Sequence, residues 1–124
     1  CFPSSADSIP TSLGQEDHVS MGSISGRKVN QVLDNLEYIL AIELMSACQA
    51  IEFRRPLKSS AILEGAHEFV RRFVGFASED RIFAEDILKL HSIIRDHSFV
   101  KHCDSVAASH GISLNAGFET DLSL

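Results

Sequence analysis

Cysteine is scarce in this chain, and its count is odd: Cys1, Cys48 and Cys103 only. Three thiols so far apart make no disulfide framework, and no pair has metal-ligand spacing. The plain reading is a reducing compartment, the cytoplasm. Basic residues are also few, 11 Lys and Arg against 17 Asp and Glu, for a net charge of -6. With no basic stripe, that balance excludes a phosphate-backbone binder. There is no apolar run long enough to cross a bilayer. The best stretch, residues 38 to 51, is short and is broken by Glu43, Ser46 and Gln49. No signal-peptide pattern, Walker A loop, dinucleotide fingerprint or nucleophile elbow occurs. The six histidines, at 18, 67, 91, 97, 102 and 110, form no His-Glu-x-x-His unit. His97 and His102 are five apart, a poor fit to one helix face. Each of the six reads as a surface or half-buried helix histidine, and no metal is expected. Strand alternation and internal repeats are missing as well.

What is present is helical periodicity in one domain's length of 124 residues. The opening at Cys1 without a Met, through residues that read as interior, gives the expectation of a piece of something longer. Residues 1 to 14 hold two of the three prolines and read as a loop. Residues 15 to 55 form a long-helix region, and 56 to 124 carry shorter helices and a tail. From Arg27, Val29, Val32, Leu33, Leu36, Leu40, Leu44, Ala47, Cys48 and Ile51 recur at three- and four-residue spacing. A helix over 27 to 53 is roughly 40 Å long at 1.5 Å per residue. From Tyr38 its other faces are apolar too, the pattern of a buried helix. A lone domain of this size has trouble covering it, so missing chain or other subunits are expected to pack there. Cys48 reads as buried filler, and Glu43 as a buried carboxylate in need of a partner. Pro56 stops the helix. Ser60 is positioned to cap a second helix over 61 to 76, on which Arg71 and Arg72 read as solvated. Third and fourth helices are expected near 83 to 95 and 97 to 109, the last closed by Gly111. The tail to Leu124 has no clear period, and Phe118 is its one aromatic anchor. The fold class is all-α.

One stretch stands apart, Ser8-Ile9-Pro10-Thr11-Ser12-Leu13-Gly14-Gln15-Glu16-Asp17-His18-Val19-Ser20-Met21-Gly22. Ser12 with Gln15 three places on has capping-box spacing. That puts Gln15, Glu16 and Asp17 in a first turn, where free N–H groups and the positive dipole end favour acidic groups. By spacing alone, Glu16 and Asp17 are caps and solvated charge. A loop held over a site is the functional alternative.

The same residues, from Asp7 to Ser12 and from Gln15 to Gly22, resemble the signature of the histidine ammonia-lyases. So do Ala41-Ile42-Glu43-Leu44, Ala47-Cys48-Gln49-Ala50-Ile51-Glu52-Phe53-Arg54 and Leu57-Lys58. The likeness is firm over residues 7 to 58. It runs more loosely to about 100, through Leu63-Glu64, Asp80-Arg81 and Asp86-Ile87. Leu13-Gly14 departs from the Ala-Asn pair of that signature. The resemblance implies the C-terminal part of a long-helix bundle of the fumarase/aspartase-like type, preceded by an active-site loop. It implies a cytoplasmic homotetramer that deaminates L-histidine to trans-urocanate and ammonia with a methylidene-imidazolone prosthetic group. That group forms from an Ala-Ser-Gly triplet, which this chain does not contain. The remaining, N-terminal part of the enzyme would supply it, and the 124 residues alone would be inactive. Within the resemblance Glu16 is the catalytic candidate and Gln15 lines the substrate or prosthetic-group pocket. Asp17 and His18 lie behind them. An anionic Glu16 suits an imidazole or an ammonium, where phenylalanine and tyrosine lyases tend to carry Gln. Another aromatic amino-acid lyase or aminomutase is the alternative within the fold. An inactive structural fragment or homologue is the alternative outside it.

Overall fold

The structure, a computed structural model, describes residues 9–15 and 22–114. The tail with Phe118 lies outside the described residues. Among the described residues, four α-helices follow one short 3-10 turn at Ser12–Gly14. They are α1, Gly22–Glu52, α2, Ala61–Arg71, α3, Ala84–Arg95, and α4, Ser98–Ser109. No strand is formed among the described residues. No helix among them is long and apolar enough to cross a membrane.

The chain divides into two compact units, Cys1–Leu36 and Glu37–Leu124. In the first, the described structure is the 3-10 turn and the opening of α1. That helix begins at Gly22, ahead of the apolar periodicity that starts at Val29. Gly22 and Gly26 lower helix propensity by about 1 kcal/mol each against alanine, and the long run behind them carries that cost. Val29, Val32, Leu33 and Leu36 are all exposed.

In the second unit the rest of α1 meets the three shorter helices. Ser60 caps α2 as its position predicts: its Oγ accepts from the Leu63 N–H at 3.3 Å. Glu64 lies in the first turn of α2 and Arg71 in the last, both on the favourable side of the helix dipole. α2 is shorter than the apolar pattern implies. Phe73 and Val74 follow in a turn, with the Val74 N–H bonded to the Val70 carbonyl at 3.0 Å. Gly65 is where α2 and α4 approach, since a Cβ there would stand 3.1 Å from the Val106 methyls. α3 opens with Glu85 and Asp86 in its first turn and ends at Arg95. His97 makes the sharp corner into α4 with φ of 61°, left-handed backbone that costs a non-glycine residue about 1 kcal/mol or more. Asp96 secures that corner by accepting from the Ser98 N–H at 2.8 Å. Gly111, at φ 71°, closes α4 as expected.

The core of this unit is small: Ala41 and Cys48 of α1, Val70, Val74, Leu90 and Ile93. Leu44, Met45, Phe69, Ile87, Ile94 and Phe99 pack around it. Cys48 is buried filler, and burial pushes its thiol pKa up. Ser46 is reconciled with the apolar helix by donating its hydroxyl to the Ile42 carbonyl at 2.9 Å. The rest of α1 does not meet the burial its pattern calls for. Tyr38, Ile39, Leu40 and Ile42 stay exposed. Glu43 is exposed too, so the expected buried carboxylate is not found.

Candidate functional site

The segment before α1 is built on turn chemistry. Thr11 is extended, at φ -131° and ψ 175°. Ser12, Leu13 and Gly14 then take positive φ in succession, 54°, 56° and 86°. Only glycine adopts that region freely, so Ser12 and Leu13 hold strained backbone. Two bonds close the turn, Gly14 N–H to the Thr11 carbonyl and Gln15 N–H to the Ser12 carbonyl, each 3.2 Å. The capping-box expectation for Ser12 therefore fails. Its carbonyl accepts from the Gln15 N–H, and the residue itself has left-handed backbone inside the turn.

Gln15 returns to ordinary helical angles at φ -75° and ψ -28°, with its side chain exposed. Its amide offers both a donor and an acceptor. Glu16, Asp17 and His18 lie outside the described residues. The strained turn delivers the chain to them, and strain of this kind gathers where backbone is placed for function.

A second polar constellation lies in the unit from Glu37 onward, where the end of α1 meets α2. The Glu52 carboxylate is the hub. Its Oε1 accepts from Arg71 Nε at 3.1 Å and stands 3.1 Å from His67 Nε2. The His67 contact is close, yet it lies off the hydrogen-bonding direction, so it is an electrostatic contact and not a bond. Arg71 also donates to the Cys48 carbonyl at 2.9 Å and the Val74 carbonyl at 3.2 Å. That corrects the expectation of a solvated Arg71: it bridges the last turn of α1 to the end of α2. Arg72 is exposed and lies over the Phe69 ring. Arg55 joins from the turn after α1, with Nη1 2.8 Å from Glu64 Oε2 and Nη2 3.3 Å from His67 Nδ1. The bond from the Ser59 N–H, helped by Arg55, holds the Glu64 carboxyl below the usual carboxylate range.

His91 makes a matching contact from α3. It stacks on Tyr38 with ring centres 4.1 Å apart, and its Nε2 stands 3.1 Å from Glu37 Oε2, again off-direction. His67 and His91 are both buried, against the expectation of surface or half-buried histidines. Gln49 completes the set. Its amide pairs with both backbone groups of Ala77, donating at 2.7 Å and accepting at 3.2 Å. It thereby holds the loop beside a cleft of about 520 Å³ that Met45, Phe53, Val74 and Phe83 help to line.

Sequence reasoning missed His67, His91, Arg71 and Gln49. The signal that could have found them is weak: Glu37 and Glu52 both interrupt an apolar helix, and a carboxylate there needs a partner. Chemically, these groups are committed. Each of these carboxylates faces a cation or an imidazole, and neither thiol among the described residues is activated, since burial raises the Cys48 and Cys103 pKa values. The constellation fastens helices together. Among the described residues no group of three or more His, Cys, Asp or Glu could hold a metal ion. The reactive candidates remain those of the segment before α1.

Known proteins resemble the chain over most of its length. The family model described as "Aromatic amino acid lyase" matches residues 1–72. A histidine ammonia-lyase of Desulfotalea psychrophila is 47% identical over 97 residues, which are 78% of this chain and 19% of that protein. The one from Rattus norvegicus is 48% identical over 96 residues, 77% of this chain and 15% of that protein. Among solved structures, histidine ammonia-lyase from Trypanosoma cruzi superposes with a TM-score of 0.77 at 42% identity, covering 86% of this chain and 21% of that one. Tyrosine aminomutase from Streptomyces globisporus superposes at 0.74 with 32% identity, over 88% and 20%. The chain thus spans about a fifth of the length of these relatives. The all-helical architecture is the one seen in both solved structures. With a strained turn, a polar signature and a long helix in that order, and a family match over more than half its length, the chain belongs to the aromatic amino acid lyase family.

Proposed function

We propose that this chain is part of a cytoplasmic, homotetrameric histidine ammonia-lyase that converts L-histidine to trans-urocanate and ammonia. The observation that carries the reading is the 47–48% identity to histidine ammonia-lyases of organisms as distant as Desulfotalea psychrophila and Rattus norvegicus. The reaction removes a β proton and expels an ammonium group. An electrophilic methylidene-imidazolone, when present, supplies the means of loading the substrate amine. Its Ala-Ser-Gly precursor does not occur in these 124 residues, so another part of the protein would provide it. Gln15, with an exposed amide that both donates and accepts, has the chemistry to hold such a carbonyl-rich group or the substrate beside it. Glu16 supplies the charge. Its carboxylate would either take the β proton or pair with the substrate's imidazole or ammonium. Asp17 and His18 would orient that pair.

A second reading, a tyrosine-type lyase or aminomutase, is favoured by the likeness to the Streptomyces globisporus enzyme, at lower identity. The test uses the intact protein, with L-histidine and L-tyrosine offered separately. Urocanate absorbance with histidine alone supports the first reading. Turnover of tyrosine alone overturns it. Glu16→Gln separates a site role from a cap. A loss in kcat/KM above about a hundredfold with an unchanged melt supports the site role, and a loss below about threefold returns Glu16 to the helix start.

A further inference from the structure

His67 is a buried titratable residue for which the lyase reading has no use. Its side chain is 6% exposed, and its partners all belong to the unit from Glu37 onward. They enclose it already, whatever covers the outer face of α1. From α1 comes Glu52, with Oε1 3.1 Å from His67 Nε2. The Cys48 thiol, near Glu52 and Arg71, is kept neutral by burial. From the turn after α1 comes Arg55, with Nη2 3.3 Å from His67 Nδ1. On α2 itself, Arg71 shares the Glu52 carboxylate, and Glu64 holds the Arg55 guanidinium. Of the charged groups of α3, Glu85 is exposed, Asp86 pairs with Arg81 and Lys89, and His91 and Arg95 lie against Glu37. α4 meets α2 through Val106 at Gly65, about 200° round the helix from His67, and its His102 stacks on Phe69.

Hydrogen-bond chemistry fixes the state of the ring. A guanidinium carries donors and no acceptor, so His67 Nδ1 accepts from Arg55 and the ring proton sits on Nε2. The imidazole is therefore neutral in this arrangement. Its second proton would go to the lone pair that Arg55 holds. Adding it sets a donor against a donor 3.3 Å away, and a positive charge beside a guanidinium. The cluster has no spare negative charge to take it up. Glu52 and Glu64 are matched by Arg71 and Arg55, and Glu52 Oε1 already accepts from Arg71. The contact from His67 Nε2 to Glu52 is off the bonding direction, and that nitrogen makes no hydrogen bond. A buried charge without a counter-ion of its own is costly. Arg55, whose side chain reaches the surface, is the group that can move away.

We propose that His67 is an acid-sensitive latch: it holds Arg55, and with it the turn between α1 and α2, only while its Nδ1 carries no proton. What Arg55 holds in turn sets the consequence. Its Nη1 donates to Glu64 Oε2 at 2.8 Å, and Glu64 Oε1 accepts from the Ser59 N–H at 2.7 Å. The same Nη1 reaches the Leu57 carbonyl at 3.5 Å. Release of Arg55 therefore loosens the turn from Arg55 to Ser60. The helices themselves stay fastened, because Arg71 still bonds Glu52 and the Cys48 carbonyl. Imidazole is the side chain whose ordinary charge change falls between pH 5 and 8. Glu64, with its carboxyl held below the usual carboxylate range, stays ionised over that interval. The opening thus belongs to His67 and is local.

The test is amide hydrogen exchange of the intact protein, read by mass spectrometry on peptides covering residues 55 to 60. Corrected for the intrinsic pH dependence of exchange, protection of the turn is expected to fall about fivefold or more from about pH 7.5 to about pH 5.5. His67→Asn places an amide oxygen where Nδ1 stands, an acceptor for Arg55 that takes no proton in this range. Protection in that variant is expected to change by less than about twofold over the same interval. A second measurement needs no variant. Slow exchange of the ring C2 hydrogen of His67 follows its protonation in the wild-type protein, and the turn must open at the pH where the ring gains its proton. Should His67→Asn fail to fold, the ring measurement decides alone. Protection that is flat or rises in acid overturns the latch. So does an opening as large in His67→Asn, or one at a pH where the His67 ring does not titrate. Turnover enters none of these readouts, so the latch stands or falls apart from the lyase assignment.

Discussion

Arg71 and Arg72 are neighbours on one helix, and the structure gives them opposite fates. Replacing each with Leu tests whether the Glu52 constellation holds α2 to α1. The Arg71 side chain is only 15% exposed and makes three bonds, to Glu52 Oε1, the Cys48 carbonyl and the Val74 carbonyl. A hydrogen bond from a charged donor is worth about 1.5–3 kcal/mol net. Three bonds from one guanidinium share a single desolvation, so they do not add, and water regains part of the site when the group is lost. The leucine keeps most of the packing. The loss is then about 2–4 kcal/mol, most of it from carbonyls and a carboxylate left without their donor. Arg72, over the Phe69 ring at 5.7 Å and exposed, has about 0.5–1 kcal/mol at stake. Equilibrium urea unfolding followed by far-UV circular dichroism measures both. An Arg71→Leu protein within about 0.5 kcal/mol of the parent, the ordinary range for a surface change, would refute the bridging argument. So would equal losses for the two variants.

Glu64 has its folded-state pKa lowered by the Ser59 N–H and Arg55, so its stabilisation is full above roughly pH 5 and fades as pH falls through the folded value. Glu64→Gln should therefore lower the melting temperature at pH 7 and flatten its decline in acid; an unchanged acid limb counts against this. Cys48 is 3% exposed with a raised thiol pKa, so iodoacetamide at pH 8 should modify it only once the protein unfolds. Labelling of the native protein at that position would show the core to be open. The purified 124-residue chain, lacking Ala-Ser-Gly, should form no urocanate from histidine, and turnover above background would contradict its placement as one part of the active site.

The helices were legible because each carries its own evidence. Apolar residues recur on one face, Ser60 has capping chemistry three residues before Leu63, and Gly111 supplies the left-handed end of α4. What failed to show was decided by which helices meet. Arg71 looks solvated on α2 by itself and is half-enclosed only because Glu52 and the Cys48 carbonyl stand opposite. His67 and His91 look ordinary until α2 and α3 dock on α1. Ser12 was misread because capping-box spacing is also the spacing of a tight turn, and Leu13-Gly14 took the left-handed path. The candidate site was legible only in part. Spacing alone made Glu16 a cap, and the likeness to the histidine lyases made it a catalytic carboxylate.

The division of labour along α1 also explains its exposure. Only Ala41 and Cys48 of its residues are buried. The helix is fastened to its neighbours largely by polar groups: Glu37 against His91, Glu52 against His67 and Arg71, Gln49 against Ala77. An isolated domain does the reverse, burying its apolar stripe and solvating its charges. Here Glu37 and Glu52 of α1 face the chain's own helices, and Val29, Val32, Leu33, Leu36, Ile39, Leu40 and Ile42 are exposed. Exposure on that scale is unfavourable by about 25 cal/mol for every Å² left in water. A helix can hold such a surface only if the assembled protein covers it. The polar fastenings then have a second consequence. They hold the second half of α1 through the directional bonds of Arg71 and Gln49 and the electrostatic contacts of His67 and His91, so its apolar residues are not needed for that attachment.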